Sequence, residues 1–328
     1  MRLRLPSVPP WLALVLVAPA IGEVLSGSSP PPELLNPVAV FFLIGLYGSG
    51  ALLVREIAFR WGKGWPSVFA LGAAYGIIEE GLMCKSFFDP GWMDVGLLGS
   101  YGRWLGVNWI WTLELILFHA AFSTSIAILL VYLAYPEKRG KPWAGNKGLI
   151  LAGILMALVV VLGYFFISAY RPDILLTLLS GLAAGALIVL ARLLPPGLPF
   201  KSESLVPRPR WLAMTGFTWT FALFFIVWVI PSTGLPAVLT FTLLLGLAAA
   251  GWAMLAWLYG KGAGFTEGHK LALAAGALGF FLLLSALMGI GGIRGMGLAG
   301  ATAAVLLFLL WRRLERHPGA LPAYGPDS

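Results

Sequence analysis

The 328 residues are 59% hydrophobic and only 11% charged, with a mean hydropathy of +0.88. A soluble domain carries about 25% charged residues, so the composition excludes an ordinary soluble protein and predicts an all-α, polytopic membrane helix bundle. The net charge of +8, from 22 Lys and Arg against 14 Asp and Glu, fits basic membrane-flanking loops rather than a nucleic-acid partner, and the lone Cys84 excludes an intrachain disulfide or a Cys-rich metal site.

The N-terminal stretch "MRLRLPSVPPWLALVLVAPAIG" has the basic start and apolar centre of a signal peptide, but it reads as a retained first helix. A hydrocarbon core of about 30 Å needs about 20 apolar residues per helix. Such runs fall near 11–26, 37–55, 65–84, 107–135, 148–169, 173–194, 211–230, 235–260, 270–290 and 293–312. That makes about ten transmembrane helices in a single integral membrane domain, 1–328. Pro and Gly mark the breaks, as in "GKGWP", "LLPPGLPF" and "IPSTGLP". No internal repeat is evident.

A cytoplasmic N-terminus leaves only Lys85, Arg103, Arg171 and Arg294 of the 22 basic residues outside, and so 18 in cytoplasmic segments. This asymmetry predicts a multi-pass cell-membrane protein with both termini cytoplasmic. Trp65, Trp109, Trp111 and Trp211 fall at helix ends, where interfacial anchoring is expected.

The polar residues are unevenly spread. Glu79, Glu80 and Glu114 lie within predicted helices, Glu23 and Glu56 near helix edges, and His119 is the one His in a span. From about 148 onward no acid lies well inside a helix. Residues 37–135 therefore read as the polar functional half and 148–312 as scaffold. Intramembrane ionisable groups face the bundle interior or a wet cavity. Gly72, Gly76 and Glu80 follow at i, i+4 and i+8, a stripe of small residues that admits a neighbouring helix.

His119 shares a face with Thr112 and Ser123, whereas Glu114 sits about 140° round the helix from it. In depth, Glu80 is expected about 7 Å below Lys85 and His119 about 16 Å below Asn108, a mismatch of one to two turns. Between these helices runs "KSFFDPGWMDVGLLGSYGRWLGVNW", too apolar for an ordinary loop and too broken for a helix. It is either a lid over the carboxylates or a surface connector. Its Lys85, Asp89, Asp94, Arg103 and Asn108, with Glu114, are the candidate substrate-binding residues.

"EEGLMCK" followed by "FHAAFS" resembles the glutamic-type intramembrane proteases, the type II CAAX-processing and bacteriocin-immunity group and its relatives. Glu79 and Glu80 match the family's Glu-Glu pair, and His119 with Ser123 matches its His-x-x-x-polar element. Cys84 stands where a basic residue is usual, with Lys85 one place late. Ser123 stands where Asn is usual, and a second intramembrane His is lacking. The match covers about 50 residues of the chain. It implies peptide hydrolysis within the membrane, with Glu79 as base, Glu80 as its partner, and His119 with Ser123 stabilising the oxyanion.

Three other uses of the same residues are open. A metal on Glu79, Glu80 and His119, with Glu114 as a further ligand, is disfavoured, because neighbouring glutamates diverge by about 100° on a helix, so no cofactor is expected. A proton- or cation-coupled transporter can use buried acids. A structural or immunity-type protein would only hydrogen-bond them. The expected partners are membrane lipid and a membrane-protein or peptide substrate.

Overall fold

The computed structural model describes residues 8–197 and 205–316. Arg2, Arg4, Lys201 and both chain ends, on which part of the orientation argument rests, lie outside the described residues. The ten helices are α1 (Pro10–Leu25), α2 (Pro37–Arg60), α3 (65–83), α4 (Trp109–Ala134), α5 (Asn146–Phe166), α6 (Ile174–Leu193), α7 (Pro209–Trp228), α8 (Ala237–Tyr259), α9 (Glu267–Ile290) and α10 (Met296–Arg316). The protein is an all-α polytopic membrane bundle. Among the described residues, eight helices are long and apolar enough to cross a membrane; α1 is a shorter apolar helix, and α3, which carries the carboxylate pair, is not one of the eight.

The helix boundaries have local causes. Proline occupies the first turn of α1, α2, α3 and α7, where its missing N–H costs nothing. Asn36, Asn108 and Asp173 cap α2, α4 and α6 by accepting from the backbone N–H of Val38, Trp111 and Leu175. Thr266 and His269 form a capping box at the start of α9.

The loops sort to two ends. At one end Arg55, fully buried against Trp143 and ion-paired with Glu56, donates to the carbonyls of Arg139 (3.0 Å) and Lys141 (2.8 Å). Lys63 donates to Leu194 O (2.6 Å), Arg139 pairs with Glu267 (3.0 Å), and Arg313 donates to Ala134 O (2.7 Å). These are all loops that the charge count assigns to one side. At the other end Lys85 reaches Ser168 O (2.9 Å), Tyr101 donates to Leu235 O (2.8 Å), and Ser285 donates to Leu25 O (3.1 Å).

The segment 84–108 folds inward. Lys85, Ser86, Phe87, Phe88, Leu98 and Asn108 are buried, and a two-stranded antiparallel ribbon, β1 (Arg103–Trp104) and β2 (Val107–Asn108), closes it. Asn108 N–H donates to Phe87 O (2.9 Å), so α4 begins level with Phe87, three residues beyond Cys84. That offset closes much of the expected depth mismatch between Glu80 and His119. Trp111 also departs from expectation. It is buried, and its Nε1 donates to Ser86 Oγ (3.2 Å) instead of anchoring at the interface.

Candidate functional site

Four helices interrupt their i→i+4 hydrogen bonding with π-helical turns, at Ala20–Leu25, Ile44–Gly48, Ile78–Met83 and His119–Ile126. Each turn carries site residues: Glu23; Tyr47; Glu79 and Glu80; His119 and Ser123. Such turns cluster at functional sites, and here they converge on one cavity. A turn closed at i+5 takes in one residue more than an α-helical turn, which re-aims the side chains that follow.

His119 is the hub. Its Nε2 lies 3.2 Å from Glu80 Oε1, and its Nδ1 lies 3.0 Å from Ser123 Oγ and 3.2 Å from Glu79 Oε2. Glu80 also accepts from the Ser86 hydroxyl, which Trp111 supports from behind. The imidazole therefore sits between the two carboxylates, and all three residues are buried. Space for the ring comes from Gly76, where an added Cβ would stand 3.0 Å from His119 Cβ and 3.3 Å from its Cδ2. Gly22 does the same for Tyr47: a Cβ there would meet Tyr47 Cε1 at 2.5 Å. Phe118, Tyr47 and Tyr75 enclose the imidazole, with ring centroids 5.3, 6.0 and 5.7 Å away.

The carboxylates open on a cavity of about 760 Å³ at the end opposite the Arg55 cluster. Its lining includes Glu23, Glu33, Glu79, Glu80, Asp94 and Glu114, and no Lys or Arg among the described residues. Glu23 accepts from Tyr47 OH (2.5 Å) and Ser29 Oγ (2.8 Å). Oε2 of both Glu79 and Glu114, and Tyr75 OH, are buried without a well-directed hydrogen bond. Burial and the nearby charge of Glu80 raise the Asp94 carboxyl above its ordinary range.

The sequence-predicted residues divide into two groups. Glu79, Glu80, His119 and Ser123 come together. Asp94 and Glu114 line the same cavity; Glu114 reaches it despite its angular distance from His119, because the cavity wraps a broad arc of α4 from Trp111 to His119. Lys85, Asp89, Arg103 and Asn108 hold the 84–108 segment in place. Lys85 Nζ is held by the carbonyls of Tyr164 and Ser168 at a backbone φ of +64°, and Asp89 accepts from Gly91 N (2.9 Å) and Ser168 Oγ (3.0 Å). Arg103 donates to Phe88 O and Gly106 O, and Asn108 donates to Leu98 O and Tyr101 O. The sequence reading missed Tyr47, Ser29 and Ser86 as site residues and treated Glu23 as an edge acid. The signals were an acid in a short apolar helix and a phenol among the glycines of "GLYGSG".

One ligand atom each from Glu79, Glu80 and His119 lie within 4.8 Å of one another. The divergence expected of neighbouring glutamates does not keep them from one imidazole, but each carboxylate approaches a different ring nitrogen. With a buried carboxylate pair, a hydroxyl and a cavity lined by further acids, the site can also move protons.

The chain belongs to a family described as an uncharacterized membrane protein family, whose model matches residues 12–309. No curated protein and no solved structure matches it. The family match extends over both halves of the chain and assigns no chemistry.

Proposed function

We propose that the protein is a glutamic-type intramembrane hydrolase that cleaves an amide bond of a membrane-embedded peptide or protein. The observation that carries this reading is the Glu79–His119–Glu80 array, each carboxylate 3.2 Å from a different ring nitrogen, at the wall of a polar cavity. Glu80 is engaged by Ser86 and His119, whereas Glu79 Oε2 has no well-directed bond. Glu79 is therefore the freer base and Glu80 its partner.

In this scheme Glu79 takes a proton from water as the water oxygen bonds to the substrate carbonyl carbon. The carbonyl electron pair moves to oxygen, where His119, steadied by Ser123, stabilises the charge. When the C–N bond breaks, the proton on Glu79 passes to the departing amine. Trp92 and Asp94 of the 84–108 segment line the same cavity. The basic loops at the opposite end support an orientation in which the cavity faces outward from the cytoplasm. The Glu-Glu and His-x-x-x-Ser resemblance points the same way.

The test is cleavage of a fluorogenic transmembrane peptide library by the purified protein in liposomes. Glu79→Gln and His119→Ala are expected to abolish turnover with no change in yield or elution volume. Turnover that survives in both variants would reject the reading.

A second reading has one specific observation behind it: six acids and no Lys or Arg among the described lining residues of a single cavity. That lining suits a cation or proton path. It predicts ion-coupled flux into proteoliposomes that Glu80→Gln stops, with no peptide cleaved.

A further inference from the structure

A second cavity, of about 430 Å³, lies between the two halves of the bundle and shares no lining residue with the carboxylate cavity. Phe69 and Ala73 of α3 and Leu117 of α4 face Trp219, Trp252 and Leu273 of α7, α8 and α9 across it. Along α4 its lining runs from Ile116 to Leu129, about 20 Å at 1.5 Å per residue. That exceeds the roughly 15 Å of hydrocarbon in one leaflet. Its volume falls in the range of ligand sites, and walls this apolar give water too few partners to stay.

Charge enters at one end only. Lys270 is the single charged lining residue among those described. Beside it a small adjoining pocket brings in Arg139 and Glu267, and shares Trp65 with the groove. Arg139 and Lys270 both pair with Glu267, each at 3.0 Å. Two cations share one carboxylate, so the mouth keeps a net positive charge. It lies at the end where the basic loops gather. Basic pockets between transmembrane helices on that side suit anionic headgroups, and Trp65 and Tyr259 supply the aromatic rings of a headgroup-level rim.

We propose that this groove is a lipid site that takes one acyl chain of an anionic glycerophospholipid, with the phosphate at the Lys270–Arg139 mouth. The site is independent of the reaction assigned to the carboxylate cavity. The lipid wedges between the polar half and the scaffold half and completes the packing of α3 and α4 against α7–α9.

The test is native mass spectrometry of the full chain released from detergent and titrated with phosphatidylglycerol or phosphatidylcholine. One phosphatidylglycerol is expected to be retained more tightly than phosphatidylcholine. Lys270→Gln is expected to weaken it about fivefold, the effect of about one cationic side chain at a membrane surface. Glu267→Gln, which removes the competing carboxylate, is expected to strengthen it. Ala73→Trp fills the groove and is expected to remove both lipids; Ala248→Trp does so from the opposite wall should the first variant fail to fold. Equal retention of the two lipids, phosphatidylglycerol binding indifferent to Lys270→Gln, or binding that survives a filled groove each overturns the proposal.

Discussion

Helices α2 and α4, on the side of the chain that carries the intramembrane acids, are similar in length and apolarity to those after residue 146 but differ in what surrounds them. Within α2 and α4, 56% and 61% of the most apolar stretch is buried; in α5, α6 and α8 the share is 17%, and in α10 it is 6%. Phe166, Leu182, Ile290 and Leu298 stand well exposed on the scaffold helices, as lipid-facing residues do. The buried helices are also the ones with π-helical turns and intramembrane acids.

Glycine shows the same contrast at finer scale. In the scaffold, an added Cβ on Gly276 would stand 1.9 Å from Ala213 O, and one on Gly216 would stand 2.2 Å from Leu273 O. There glycine lets the backbones of α7 and α9 touch. Gly76 instead clears room for a side chain, that of His119.

Gly276→Val tests the scaffold side most severely. Backbone cannot yield as a side-chain tip does, so a loss of about 3 kcal/mol or more is expected, read as aggregation or a large fall in Tm in detergent. A thermally unaltered variant would mean that α7 and α9 are not in such contact. Gly76→Ala sharpens the other side of the contrast. The helix gains about 0.5–1 kcal/mol and the crowding against His119 costs about 1 kcal/mol or a little more, so Tm is expected to hold or fall slightly. If the proposed hydrolysis holds, the displaced imidazole is expected to lower peptide turnover by about tenfold, and unchanged turnover would separate the ring position from activity. Leu182→Ala, at a residue 69% exposed, is expected to shift stability by no more than about 0.5 kcal/mol in a thermal melt. A large shift would indicate a partner seated on α6.

Much of the bundle was legible in the sequence. All ten apolar runs became helices within a few residues of their expected bounds, since hydropathy and Pro–Gly punctuation are local properties of the chain. The Glu79, Glu80, His119 and Ser123 set was also readable, because an acid or a His inside an apolar run stands out against its neighbours. The small-residue stripe of Gly72 and Gly76 found its neighbour in α4, against Ala120, Thr124 and His119.

What the sequence by itself determined is thus the membrane class, the helix count and the crowding of polar residues into one half, each of them a matter of composition along the chain. Only the tertiary structure decided that Glu23 and Tyr47 join the site across 24 residues, that Lys85 and Arg103 tie down the segment 84–108, and that two adjacent glutamates meet one imidazole. The physical reason is that these outcomes depend on π-helical turns and on where one helix stands against another. Both are settled by packing and hydrogen-bond satisfaction over the whole bundle, and neither leaves a periodic mark in the residue order.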